Sequence, residues 1–264
     1  MSQQPVLYGV QDKIAQITLN RPENRNSMTP DVLAGFRDAV ARVRADPDLR
    51  CVIITGSGKS FCAGADFRNR PQGDEEGGRK VMPWERTYSA YANFLTVLDI
   101  EVPTIAALNG HAIGGGFGLA LVCDLRVANR EARFGANFVR LGLHPGMATT
   151  YFMPRLIGLP KAIELLLTGR VISGEELAAC GLANYAVAED EVLPKATELA
   201  REIAACAPIA VRMAKKSIYR NADWDPKRAA EWEAQVQSRT LETEDAKEGV
   251  AALLEKREPV FKNQ

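Results

Sequence analysis

Three consecutive glycines, Gly114 to Gly116, follow a short apolar run, Thr104 to Leu108, and a turn signal at Asn109-Gly110. Beyond them Phe117, Leu119, Ala120, Leu121 and Val122 spell a helix that is apolar on nearly every side. A helix that opens on glycines presents bare N–H groups at the positive end of its dipole. No Cβ holds a ligand away. Such an end suits a phosphate, an oxyanion or a carbonyl oxygen. Tight helix packing accounts for the glycines equally well, so this stretch alone leaves both readings open. A second stretch shifts the balance. The β-branched run Cys51 to Thr55 is followed by Gly56 to Ser60 and then by Phe61-Cys-Ala-Gly-Ala-Asp66. Gly56 to Ser60 only mimics a phosphate-cradling loop, because the glycine required five positions before Gly58 is Ile53. The useful part is Ala63-Gly64-Ala65, whose backbone can lie against a ligand. One N–H from each stretch, converging on one oxygen, would polarise a carbonyl.

With these residues in view the chain resembles the crotonase superfamily, the enoyl-CoA hydratase/isomerase fold. The matching pieces are Leu19-Asn-Arg-Pro22 with Asn26, Ser60 to Asp66, Asn109 to Gly116, Cys123-Asp-Leu-Arg126, Phe134-Gly135, and Asp245 to Gly249 with Glu255-Lys-Arg257. They run in the family's order over nearly the whole chain. The resemblance implies a CoA-thioester site whose oxyanion hole is formed by the N–H groups of Ala63 and Gly115. It places Gly64, Ala65, Asp66 and Phe138 beside the substrate, with Asp66 holding the backbone of its loop. Asn24 and Arg25 would lie near the nucleotide end of CoA, where Arg25 could pair with a phosphate. Lys256 matches a position at which the last helix of a neighbouring subunit reaches CoA. A solvated loop cation and a solvated helix-end cation are the plain alternatives for Arg25 and Lys256.

Adding water to an enoyl thioester takes a hole for the enolate oxygen and groups that move protons. The family's hydratases carry glutamates at positions that fall here on Gly118 and Phe138. Its isomerase branch places an aspartate at the position of Gly146. All three are empty of acids. Of the two histidines, His144 precedes Pro145 in the turn beside these positions and could act as a base near neutral pH. A packing or surface role is the plain alternative. His111 reads as packing, and Glu85, Tyr88 and Asp66 are weaker candidates. The leading expectation is hydratase/isomerase-type chemistry on an enoyl-CoA. Isomerisation, thioester or C–C hydrolysis through His144, and acyl-CoA binding without catalysis, are the alternatives.

The elements around these residues read as follows. Val6 to Val10 and Ile14 to Leu19 form a hairpin about Gln11-Asp12-Lys13. Thr29-Pro30 starts a helix with a hydroxyl N-cap, and Val32, Leu33, Phe36, Val40 and Val43 form its apolar stripe. Asp46-Pro47 ends it. Arg68 to Lys80 reads as a loop whose glycines suit a flap over the acyl pocket. The helix from about Pro83 to Leu98 carries Trp84, Tyr88 and Tyr91 at helical spacing. These could wall a pocket, but a core stripe is the favoured reading. Asp124 holds the loop before the strand Leu125 to Ala128. Ser173 to Glu176 is a capping box. Helices follow at about 191–206, 207–220, 226–241 and 244–257. The expected architecture is α/β, a crotonase-like spiral of repeated ββα turns over residues 1–204. A C-terminal helical region, 205–264, would pack subunits into a trimer or hexamer.

Composition sets limits. Lysine plus arginine and aspartate plus glutamate both number 33 in 264 residues, which argues against nucleic acid or an anionic membrane as partner. Five cysteines without CxxC spacing read as free thiols in a reducing compartment, so a cytoplasmic location is expected. The N-terminus lacks the features of a secretion signal. Scattered histidines and cysteines form no metal site. No cofactor is expected beyond the CoA carried by the substrate.

Overall fold

The computed structural model describes residues 4–66, 75–76, 79–80 and 82–264. The chain begins with β1 (Val6–Gln11), β2 (Ile14–Leu19) and α1 (Pro30–Ala45), then β3 (Cys51–Gly56) and β4 (Ser60–Cys62). Next come β5 (Glu75–Glu76), β6 (Arg79–Lys80), α2 (Pro83–Leu95), β7 (Thr104–Leu108), β8 (His111–Ile113) and α3 (Gly115–Val122). After these follow β9 (Leu125–Asn129), β10 (Arg133–Gly135), α4 (Thr149–Ile157), α5 (Leu159–Thr168) and β11 (Ile172–Ser173). The remainder is α6 (Gly174–Ala179), β12 (Tyr185–Val187), α7 (Val192–Ala204), α8 (Pro208–Asn221), α9 (Pro226–Leu241) and α10 (Glu244–Glu255).

One six-stranded sheet has the order β1-β2-β3-β7-β9-β12, and a four-stranded sheet has the order β11-β10-β8-β4. The repeat is visible in how the chain alternates between them. β3, β7 and β9 are parallel neighbours in the large sheet. Each is followed by a short strand of the small sheet, β4, β8 or β10, and these too run parallel. A helix then leads to the next turn. Such connections force both faces of the large sheet under cover, so its strands read as continuous apolar runs rather than alternating ones. β3 is buried along its whole length. Ile53, Ile105 and Val127 face one way, onto Val192, Ala196 and Ala200 of α7. Val52, Ile54, Ala106, Leu108 and Ala128 face the other way, into the main core with Phe36, Phe61 and Phe117.

The hairpin forms as expected: Asp12 and Lys13 both take positive φ, the geometry that matches the twist of paired strands. α1 presents Val32, Phe36, Val40 and Val43 to the core, and Phe36 meets Phe94 of α2 edge to face at 4.9 Å. Two expectations are corrected. Thr29 starts α1 but makes no capping hydrogen bond to the backbone; its hydroxyl instead bonds the Asp31 carboxylate. On α2 the core is reached by Phe94, with Tyr91 and Leu95 packed against it, whereas Trp84 and Tyr88 stay exposed. Most of the expected flap, Arg68 to Lys80, lies outside the described residues, apart from the β5–β6 ladder.

Asp124 fastens the helical tail to the sheets. Its Oδ2 accepts from the Thr104 N–H at 2.7 Å and hydroxyl at 2.8 Å, and pairs with Lys215 Nζ at 2.7 Å. Its Oδ1 accepts from the Tyr219 hydroxyl at 2.7 Å. Lys215 and Tyr219 both belong to α8, so a loop-fixing aspartate also docks that helix. The capping box at α6 is closed in both directions, Glu176 N–H to Ser173 Oγ and Ser173 N–H to Glu176 Oε2. Among the described residues no helix is long and apolar enough to cross a membrane.

Candidate active site at the N-terminus of helix α3

The glycines of α3 are fixed by close approach of backbone. A Cβ on Gly116 would overlap the Cys62 carbonyl. A Cβ on Gly64 would stand 2.7 Å from the Ile113 carbonyl and 3.0 Å from the Gly115 nitrogen, and Gly64 itself sits at φ +83°. The two small-residue stretches therefore lie backbone against backbone, as their composition suggests. Gly114, at φ 55° and ψ −118°, turns the chain out of β8 and donates its N–H to the Gly135 carbonyl at 2.9 Å.

The loop 21–28 completes the wall. Asn26 is fully buried and acts as its hub. Its Nδ2 donates to the carbonyls of Ser60 at 2.7 Å and Ser57 at 3.0 Å, and its Oδ1 accepts from the Arg21 N–H at 2.8 Å. Met28 N–H donates to the Gly64 carbonyl at 2.8 Å, and Met28 and Ala65 form a parallel bridge. Ala63 N–H donates to the Arg25 carbonyl at 3.0 Å. This corrects one expected role. Ala63 cannot offer its amide to a ligand, because the loop beside it has taken that proton. Beyond Gly64 the backbone reverses face, and Ala65 N–H meets no acceptor among the described residues. Gly115 N–H, the first of α3, is likewise without an acceptor among them.

The electrostatics favour negative charge at this point. All eight residues of α3 are buried, so its dipole is poorly screened. Its far end is neutralised by the buried Arg126, whose guanidinium donates to the carbonyls of Cys123 at 2.6 Å and Leu182 at 2.6 Å. The positive end is left facing the Gly64–Ala65 loop. Burial pushes the Cys62 thiol, beneath this turn, up to about 12, so it stays protonated and inert.

The three positions expected to lack an acid are filled in different ways. Gly118 is sealed: a Cβ there would overlap Met147 Cβ. Phe138 lies in the 3-10 turn Asn137–Leu141, with its ring 3.8 Å from the point a Gly114 Cβ would occupy. Asn137 Oδ1 is 3.7 Å from the same point. Gly146 is covered by α2, since a Cβ there would overlap the Tyr91 hydroxyl. Met147 and Ala148 both take positive φ, 56° and 54°, a strained pair that drives Met147 inward. Met28 Sδ and Met147 Cγ stand 2.6 Å and 3.7 Å from the Gly115 Cβ point.

The structure thus brings Ala63, Gly64, Ala65, Gly115 and Phe138 together. His144 is not among the neighbours of the glycine turn. It is exposed, and its Nδ1–H donates to the Pro145 carbonyl at 2.7 Å. His111, expected to pack, is exposed, and its Nδ1 accepts the Arg133 N–H at 2.9 Å. Asn24 and Arg25 lie on the same loop as Met28, and Arg25 is exposed at φ 59°. Asp66 is partly exposed at the end of the small-residue loop. Lys256 is exposed at the C-cap of α10, also in the left-handed region. Sequence reasoning passed over Met28, Asn137 and Met147 and gave Tyr91 no chemistry. The one available signal was the run Pro145-Gly-Met-Ala148, where a bulky residue follows a turn glycine. Among the described residues no cluster of His, Cys, Asp and Glu could hold a metal.

Comparison with known proteins shows the family of the chain. A family model described as enoyl-CoA hydratase/isomerase matches residues 9–264. The chain is 37% identical over 269 residues to a crotonyl-CoA hydratase of Syntrophomonas wolfei, covering 99% of each chain. It is 35% identical over 266 residues to an (E)-benzylidenesuccinyl-CoA hydratase of Thauera aromatica, covering 98% of this chain and 99% of that one. The crystal structure of an enoyl-CoA hydratase from Bacillus anthracis superposes with a TM-score of 0.90 at 35% identity, over 99% of this chain and all of that one. The chain is therefore a member of the enoyl-CoA hydratase/isomerase family, within the crotonase superfamily.

Proposed function

We propose that the chain binds an enoyl-CoA and adds water across its α,β double bond, holding the thioester oxygen between the N–H groups of Ala65 and Gly115. The observation that carries this reading is the pair of amides, where the Gly64 loop meets the start of α3, that find no acceptor among the described residues. As the enolate forms, charge gathers on the thioester oxygen. Two aligned amides and a buried helix end stabilise it there, each donor contributing roughly 3 kcal/mol to the barrier. Ala65 takes the part first expected of Ala63. Gly64 supports both amides, and Phe138 and Met28 border the acyl group. Asn24 and Arg25 extend along CoA from the loop that Asn26 fixes. Lys256 reaches the CoA of a neighbouring subunit in a trimer or hexamer. Relatives named as hydratases of crotonyl-CoA and (E)-benzylidenesuccinyl-CoA support water addition as the reaction. His144 has no part in this reading, because its ring is exposed and bonded to its own neighbour.

The test is a turnover assay with crotonyl-CoA and a panel of longer, branched and aromatic enoyl-CoAs. Loss of the enoyl-thioester absorbance is followed, and the product is weighed by mass spectrometry. A product heavier by one water supports hydration. A product of unchanged mass with a moved double bond replaces hydration by isomerisation. No turnover and no binding of any CoA ester rejects the reading.

A further inference from the structure

Water addition requires a proton to be moved, and the described walls of the site supply few groups able to do it. Side chains packed against the glycine turn include Met28, Cys62, Asn137, Phe138 and Met147, and the carboxylate of Asp66 stands partly exposed at the outer end of the Gly64 loop. Methionine, phenylalanine and the carboxamide do not exchange protons usefully. Cys62 is fully buried beneath the turn. The Tyr91 hydroxyl differs from all of these. It comes from α2 and packs onto the Cα of Gly146, where any side chain at 146 would collide with it. Residue 147, next in the chain, reaches to 3.7 Å from the Gly115 Cβ point. The phenol thus abuts the same segment that borders the proposed enolate. Tyr91 is partly buried and packed against the core, so its oxygen is held rather than free to swing.

Resting on the acyl-CoA reading above, we propose that Tyr91 is the proton-transferring residue of this site. In the step assigned to it, the oxygen of water bonds to the β-carbon. The π pair of the double bond moves through the enolate to the α-carbon and takes the phenol proton. The water releases one proton to the phenolate. Water has then been split between the two carbons and Tyr91 is again neutral, with no other reactant consumed. A glycine at 146 follows from this role, because only glycine leaves room for the hydroxyl.

The experiment compares wild type with Tyr91→Phe in three measurements. These are turnover of crotonyl-CoA, calorimetric binding of butyryl-CoA, and deuterium incorporation at the α-carbon of 3-hydroxybutyryl-CoA in D2O through reversible loss and return of water. Turnover and exchange are expected to fall by about 100-fold or more, with Kd changed by less than about threefold, as befits loss of general acid–base catalysis. If Tyr91→Phe does not fold, Gly146→Ala, which displaces the hydroxyl and keeps the phenol, is expected to give the same loss. Turnover and exchange that persist in a folded variant overturn the proposal. So does a wild type that neither hydrates crotonyl-CoA nor incorporates deuterium into 3-hydroxybutyryl-CoA. Failure of wild type to bind butyryl-CoA instead rejects the acyl-CoA reading itself, which separates the two.

Discussion

At the level of single residues the site is a set of exchanges of space. By the resemblance Gly118 stands at a hydratase glutamate position, and Met147 Cβ lies 2.2 Å from the point where a side chain there would begin. The two residues are coupled through one volume, and the coupling can be measured. Gly118→Glu alone is expected to destabilise the fold by about 1–3 kcal/mol through overpacking. Met147→Gly, which removes the Cβ that a side chain at 118 would strike, is expected alone to cost about 2–5 kcal/mol through the cavity it leaves. Together they should cost less than the sum by at least about 1 kcal/mol, since each relieves the other. Denaturant unfolding of the four proteins of this cycle decides the matter, and strict additivity would show that Met147 does not occupy the glutamate's place. The emptiness of position 118 was legible in the sequence because a residue type is read directly. Its refilling was not, because the residues meet only through the fold. The exchange of Ala63 for Ala65 was hidden for a related reason. Which amide faces outward depends on the φ of +83° at Gly64 and on the Arg25 carbonyl, and composition reports neither.

At the level of elements, the long helices and the strands of the large sheet were legible because their apolar periods and their caps repeat over many residues. The four-stranded sheet was not. β4, β8 and β10 have three residues each and β11 has two, too few to carry a period. It exists because the large sheet must be covered, a need visible only once the large sheet is assembled. The tail carries an element-scale prediction of its own. Glu248 of α10 accepts both terminal nitrogens of Arg257, at 2.5 and 2.8 Å, and the Val260 N–H at 2.8 Å. The Arg257 hydrogen bonds first, then the Val260 amide, hold its carboxyl down at about 2. An unfolded glutamate titrates near 4.3. The clasp therefore contributes stability in full above that value and loses it as pH falls from about 4 toward 2. Glu248→Gln is expected to lower the thermal midpoint at pH 7 in low salt. The gap to wild type should narrow as pH falls from about 4 toward 2, the range set by those two values. A gap that stays constant with pH would mean the carboxylate charge has no part in holding the segment from Arg257 to Val260 on α10. The effect is modest because the pair is partly solvated and salt weakens it.

At the level of the whole molecule, the single chain leaves apolar surface that its own fold does not cover. Leu253 and Leu254 of α10 are each 77% exposed, and Val250, one turn earlier on the same helix, is exposed as well. Isolated exposed leucines are ordinary, but a cluster near one helix end marks a contact surface. The same helix ends at Lys256, two residues past Leu254. If α10 packs on a neighbouring subunit, one contact accounts for both the buried leucines and a lysine delivered to that neighbour's CoA. The two consequences can be separated. Leu254→Glu is expected to shift sedimentation from a trimer or hexamer toward the 28.8 kDa monomer and also to weaken butyryl-CoA binding. Lys256→Ala should leave the assembly intact and weaken binding alone, by up to about 1 kcal/mol or roughly fivefold, as for a solvent-exposed ion pair. If dissociation by Leu254→Glu left affinity unchanged, each subunit would hold CoA by itself, and Lys256 would be a helix-end cation facing solvent. If wild type sedimented as a monomer, the exposed leucines would need another partner, and the Gly64–Gly115 site would have to act without a second chain.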